Sequence, residues 1–270
     1  MNVISTNGDG EVLDPNEFLE RVWSEYNEDD RETVLPLIED FRKVANNTGV
    51  FLDKIHNEIK SYATKNLSQY AQASILLAGT RGKRPYLRAN IWPPVDPTSP
   101  AANDICQAYS YNLPHNHNFS FLTTGYLGSE GYQTEVWTLK TDCQNLKVGD
   151  VVETEFEGEY RLDTSKVMFY EAHKDIHIQR PPKAYSLSLN LMLKADADKY
   201  TDQHFFEPKS GKVVGVYSQT LARRRMLLLY VASLIGSEET YDILLDIALK
   251  SPDERLRVAA KNVLQDRVAA

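Results

Sequence analysis

Two histidines separated by one residue, His115 and His117, stand in the stretch Tyr111-Asn112-Leu113-Pro114-His115-Asn116-His117-Asn118-Phe119. Side chains alternate between faces of an extended chain, so residues i and i+2 project together and both imidazoles can address one point. That geometry suits a metal ion, because neutral imidazole binds Fe(II), Mn(II), Ni(II) and Zn(II) alike; a site needs a third donor from elsewhere. The chain has six histidines: His56, His115, His117, His173, His177 and His204. His177, in the alternating run Ile176-His177-Ile178, is the leading third ligand, with His173 the alternative. His56, in an acidic helical stretch, and His204, read as a loop residue, are expected to be solvated or locally bonded.

Short strands must carry these residues. Ala73 to Ala78 is apolar and closed by Gly79-Thr80-Arg81-Gly82, Tyr86 to Trp92 alternates, and Gln107 to Tyr111 leads into the histidine pair. Phe119 to Tyr126, Tyr132 to Leu139, Val151 to Tyr160, Val167 to Tyr170 and Ala184 to Leu193 follow, punctuated by Gly128-Ser129-Glu130-Gly131 and Gly149-Asp150. The spacing is that of an antiparallel barrel or jelly roll over residues 69–219.

Helices flank it on both sides, making the fold class α+β. Residues 1–14 read as a flexible lead-in ending at Asp14-Pro15, an N-cap followed by proline. Apolar stripes at helical spacing over Phe18 to Tyr26, Val34 to Phe41 and Phe51 to Tyr62 then fill an N-terminal helical segment, 1–68. Residues 220–270 return to helical periodicity, and Glu238 to Leu249 with Pro252 to Val268 resembles one unit of a HEAT-type repeat. A single helix pair cannot bury its own apolar face, so it must pack on the sheet or on a partner.

Several side chains could serve such a site. Glu135 could be a fourth ligand or a base. Among the tyrosines Tyr109, Tyr111, Tyr126, Tyr170 and Tyr185, we single out Tyr111 and Tyr126 as candidate proton donors. In the last strand Ser186, Ser188 and Asn190 share one face and Leu187, Leu189, Leu191 and Leu193 the other. If helices cover the leucines, the polar face lines a cup, with Ser188 a catalytic candidate and Asn190 a substrate contact; the reverse arrangement puts the leucines inside.

Composition narrows the classes. Over 270 residues, 42% apolar and 25% charged, the net charge is -8, which argues against nucleic acid or an anionic membrane as the main partner. Arg223-Arg224-Arg225 is too small a basic cluster to reverse that. Cys106 and Cys143 form no C-x-x-C pair, so a reducing cytoplasm is the expected location. No apolar run is long enough to cross a membrane, and the acidic start lacks the regions of a signal peptide. Phosphate loops, G-x-S-x-G and H-E-x-x-H are absent from the sequence.

The order strand, Pro-His-Asn-His, hairpin, Gly149-Asp150 turn, then a strand with a lone histidine before a final alternating strand resembles the cupin superfamily over roughly Ile75 to Leu193. Its first motif is built on His-x-His and its second supplies a further histidine. Phe121 or Leu122 stands where cupins usually place a Glu, which resembles the all-histidine site of thiol dioxygenases and related cupin oxygenases. By that resemblance Arg88, with Arg84 second, holds a substrate carboxylate. The Ser-His-Tyr relay of those enzymes falls on Ser186, Ser188 and Asn190, without its His or Tyr, which speaks against cysteine itself as substrate. The resemblance implies an Fe(II) oxygenase or oxidase that takes O2 and a small amino-acid-like molecule or peptide side chain, with Mn(II), Ni(II) or Zn(II) as alternative metals. A non-redox isomerase, lyase or hydrolase on the same ligands, and a metal-free binding or interaction protein, are the other readings. A protein contact or homodimer through the terminal helices is a further expectation.

Overall fold

In the computed structural model, which describes residues 2–5, 10–27, 29–62, 74–80, 83–127, 130–141, 146–193, 202–217, 228–229, 231, 237–251 and 254–268, the chain divides into two compact units, Met1–Val216 and Tyr217–Ala270. The first helix, α1 (Pro15–Glu25), starts as its chemistry requires. The Asp14 carboxylate accepts from the Asn16 N–H at 2.8 Å and the Glu17 N–H at 3.2 Å, while Pro15 takes the first helical position. Asp14→Ala should therefore cost about 1 kcal/mol of folding stability, read as a lower urea midpoint with an unchanged slope. A 3-10 turn at Arg31–Val34, α2 (Leu37–Asn46) and α3 (Thr48–Tyr62) follow.

These helices cover one face of a six-stranded antiparallel sheet. Its strands are β1 (Asn2–Ser5), β2 (Ser74–Thr80), β3 (Lys83–Trp92), β4 (Phe121–Gly125), β7 (Lys166–Tyr170) and β9 (Ser186–Met192), in the order β1-β7-β4-β9-β3-β2. Phe18, Val22, Leu37, Phe41 and Phe51 meet Leu87, Ala89, Leu122, Val167, Leu189 and Leu191 in one buried cluster. The leucines of β9 thus face the helices. The strand's alternation then turns Ser186, Ser188 and Asn190, all buried, to the opposite face. Arg42 of α2 crosses to the sheet, donating to Thr124 Oγ1 at 3.0 Å.

A second sheet faces that polar side. It consists of β6 (Thr154–Leu162), β5 (Tyr132–Leu139) and β8 (Asp175–Gln179) in the order β6-β5-β8. Beyond β8 the segment around His115 bridges both His177 and Phe205, which joins on the hairpin β10 (Gln203–Glu207) and β11 (Lys212–Tyr217). Between the sheets Tyr86, Trp92, Phe121, Met168, Tyr170 and Met192 of the first meet Tyr132, Val136 and Leu162 of the second. Among the described residues no strand belongs to both sheets, so the fold is two facing antiparallel sheets and not the closed barrel expected.

Three further expectations change. Gln107 to Tyr111 is not a strand: α4 (Ala102–Ala108) runs into it, and Ser110 and Asn112 turn the chain with φ of 53° and 59°, a conformation Asn tolerates. The lead-in contains β1, whose backbone pairs with Lys166 to Phe169 at the sheet edge. His204 lies in β10, where it is 1% exposed, and not in a solvated loop. Cys143 and most of residues 220–236, where helical periodicity resumes, lie outside the described residues.

The second unit contains α5 (Glu238–Lys250) and α6 (Glu254–Val268), joined at Leu244 and Ala248 against Leu256, Ala260 and Val263. Ser237 caps α5 with a reciprocal capping box to Thr240. No helix among the described residues is long and apolar enough to cross a membrane.

Candidate metal centre

Backbone pairing sets the site. His115 and His177 lie directly opposite on antiparallel segments and exchange both amide bonds, His115 N–H to His177 O at 3.1 Å and the return at 2.9 Å. Opposed residues project to the same face, and His117, two residues along, joins them. On the other edge of the same segment the Phe206 N–H donates to Pro114 O at 2.9 Å and the Asn116 N–H to His204 O at 3.1 Å. Asn116, fully buried, also accepts the His204 N–H on its side chain at 2.7 Å. The histidine segment is held from both sides.

The three rings form a near-equilateral cluster, with centroids 4.8 Å apart for His115 and His117, 4.7 Å for His115 and His177, and 5.0 Å for His117 and His177. One nitrogen from each ring lies within 4.8 Å of the others. His115 Nδ1 stands 2.7 Å from the Leu113 carbonyl, which can only accept, so Nδ1 carries the proton and Nε2 keeps its lone pair for the centre. His117 Nε2 and His177 Nε2 are 3.0 Å apart. Two nitrogens each about 2.1 Å from a common ion and 90° apart are separated by ~3.0 Å, against ~3.4 Å at a tetrahedral angle. The same spacing serves an N–H···N hydrogen bond in the metal-free protein. Burial pushes His115 below its ordinary pKa, opposed by the Leu113 carbonyl, and pushes His177 well below it, aided by His115. Both rings are then neutral at pH 7, the form a metal binds. The donor set fits a divalent ion.

Aromatic rings wall the cluster. Phe121 meets His117 edge-on with centroids 5.2 Å apart and stacks on Tyr170 at 4.8 Å, while Tyr170 lies 4.5 Å from the His177 ring. Phe119 stacks on the half-buried His117 at 4.6 Å. The position where the resemblance expects a carboxylate is therefore part of an apolar wall. Burial raises the Tyr170 hydroxyl well above its usual range, and its neighbours are Thr134 Oγ1 at 3.3 Å and the Met168 sulfur.

The other candidates are placed as follows. His173 does not join the three: the chain from Glu171 to Lys174 turns, and His173 adopts φ of 59°, so the extended spacing that would align it with His177 is broken. Glu135 is not a fourth ligand, since Thr134 and Val136 take the inward face of β5 and the Glu135 carboxylate forms an ion pair with Arg180. Tyr126 lies in the helix-side cluster, edge-on to Phe51 and 3.3 Å from Asn47 O, on the far face of the sheet from the histidines. Burial raises its hydroxyl to about 12. Tyr111 packs between Trp92 and Tyr109 and donates its hydroxyl to Pro93 O at 2.9 Å, a bond that competes with any role as acid.

Ser188 and Asn190 line the space between the sheets in a hydrogen-bonded ladder. Trp92 Nε1 donates to Ser188 Oγ at 2.9 Å, Ser188 donates onward to Asn190 Oδ1 at 3.4 Å, and Thr123 donates to the same oxygen. Arg88 pairs in register with Asn190 across β3 and β9 and shares its inner face. The side chain of Arg84 lies outside the described residues. Gln179, two residues beyond His177 and on the same face, is a buried neighbour that sequence reading passed over; the i+2 spacing that joined His115 to His117 was the available signal.

No family model matches this chain, and no curated protein matches it. Among solved structures it is similar in part to the DMSP lyase DddQ from Ruegeria pomeroyi DSS-3, at 13% identity and TM-score 0.29, over 55% of this chain and 59% of that one. It spans less than two thirds of that lyase's length. It is also similar to hydroquinone 1,2-dioxygenase PnpCD, solved with Cd2+ and 4-hydroxybenzonitrile, at 10% identity and TM-score 0.27, over 50% of this chain and 70% of that one. A third likeness is to the Drosophila melanogaster CENP-C cupin domain, at 9% identity and TM-score 0.23, over 52% of this chain and 97% of that one. Likenesses this distant carry no argument about activity.

Proposed function

We propose that this chain is a mononuclear metal enzyme of the cupin type, an Fe(II)-dependent oxygenase or oxidase acting on a small amino-acid-like molecule or a peptide side chain. The observation that carries the reading is the convergence of three imidazoles from β8 and the extended segment bridged to it, two of them fully buried and held neutral. Bound Fe(II) would supply open coordination positions for substrate and O2. The chain's own residues do the rest. His115, His117 and His177 hold the ion, Phe121 and Tyr170 keep water from its flank, and Arg88 beside Asn190 binds a substrate carboxylate on the inner face. A reducing cytoplasm goes with this reading, because it keeps Fe(II) and the Cys106 thiol reduced. We read the C-terminal helix pair as HEAT-like and as the surface for a protein partner or second copy.

Oxygen uptake by Fe(II)-loaded protein, measured against a panel of amino acids, amines and short peptides, tests the proposal. Substrate-dependent uptake by the wild type is expected. Arg88→Met should raise KM for the carboxylate-bearing substrate by about 10–100-fold with a smaller change in kcat, the loss of a charge-assisted contact. Uptake that ignores every member of the panel, or an unchanged KM in the variant, counts against the respective assignment. One observation favours a second reading: three neutral donors leave the ion its full charge, which suits Zn(II) or Mn(II) as Lewis acid for a lyase, isomerase or hydrolase. Turnover under nitrogen would select it.

A further inference from the structure

Gln179 lies on the inner face of β8 beside His177 and is 5% exposed. Its carboxamide nitrogen is 3.2 Å from His177 Nε2 and 3.4 Å from His177 Nδ1, so the amide lies over the face of the ring, next to the nitrogen that also approaches His117 Nε2. Its Oε1 is buried and has no hydrogen-bond partner among the described residues. Turning the carboxamide by 180° exchanges the two atoms; one polar end still abuts the ring and the other still lacks a partner. A buried amide group left unsatisfied costs about 1–3 kcal/mol, so its retention calls for a ligand.

We propose that Gln179 contacts the molecule bound at the metal and selects for an anionic or acceptor atom there. The inference rests on the metal reading. Once the His177 Nε2 lone pair is given to an ion, the adjacent NH2 group loses that nitrogen as an acceptor, and an atom of the ligand sharing the ion can take its place. Oε1 can then accept from an N–H or O–H of the same ligand. A head group carrying both, such as an amine next to a carboxylate or thiolate, fits the pair.

Azide binding to the Co(II)-loaded protein, followed in the visible spectrum, tests this without turnover. The wild type should take up one Co(II) and bind azide. Gln179→Met, which keeps the volume and removes the donor, should retain Co(II) and bind azide about tenfold more weakly. Gln179→Glu, which replaces the donor by a charge, should weaken azide at least as much and keeps the question decidable if the Met variant misfolds. Equal azide affinity in folded variants overturns the proposal and leaves the metal reading standing. Loss of Co(II) together with azide overturns it too, by making Gln179 a support of the ion. Failure of the wild type to bind Co(II) removes the metal reading, and the proposal with it.

Discussion

Protein carrying His177→Ala or His117→Ala should contain almost no divalent metal after purification without chelators, while His173→Ala and wild type carry close to one equivalent. Removing a partner that only orients a metal ligand costs roughly 10–100-fold in affinity, so removing a ligand itself should cost more than about 100-fold. Elemental analysis together with metal titration reads the difference. The contrast with His173 matters most, because both histidines lie in the short stretch before Arg180, and the turn at Glu171 to Lys174 together with the pairing of His177 on His115 tells them apart. Circular dichroism separates loss of metal from loss of fold. His117 is the safer substitution on that score, being half-buried, with a backbone carbonyl that accepts from the His173 N–H at 2.8 Å and takes no part in the His115–His177 exchange. Equal metal content in His177→Ala and wild type would end the three-histidine assignment.

Why His177 was legible and Gln179 was not follows from what each residue type announces. A histidine flanked by two isoleucines in an alternating run signals a polar group on the inner side of a strand, and the His-x-His pair supplied the demand for one. Gln179 obeys the same period of two, but glutamine is common on exposed strand faces and nothing local marks this one as 5% exposed. The β9 strand shows the same limit differently. Its alternation left two arrangements open, and the choice was made by distant residues, Phe18, Leu37 and Phe41, covering the leucine face. Whether Glu135 and Tyr126 face the histidines is likewise not written in local sequence, because facing depends on register: one residue's shift moves a side chain to the opposite surface. Sheet closure lies still further from local pattern, since it depends on pairing between edge strands far apart in the chain.

Acid should destabilise the metal-free protein in a window that belongs to the buried histidines. His115 and His177 hold pKa values below the ordinary 6.5 because burial disfavours their charged forms, and His204 is lowered for the same reason. In the unfolded chain these groups take up protons as pH falls through about 6.5, while in the folded protein they stay neutral until lower pH. The unfolded state then binds more protons, so stability declines from about pH 6.5 downward, at up to about 1.4 kcal/mol per pH unit for each proton of difference. It levels off below the folded pKa values, and above pH 6.5 the three contribute no slope. Asp175, raised by burial, works in the opposite direction where it titrates. A bound ion adds a second dependence of the same sign, since each ligand must shed its proton to bind. At 100 times its dissociation constant the ion stabilises the fold by about 2.7 kcal/mol. That increment should shrink as pH falls, bringing the melting temperatures of loaded and metal-free protein together toward pH 5. His177→Gln, which keeps a polar side chain without titrating, should flatten the metal-free slope and abolish the gap between the two curves. Melting temperatures of metal-free wild type that stay level from pH 7.5 to pH 5.5 would show that these histidines are not buried in neutral form.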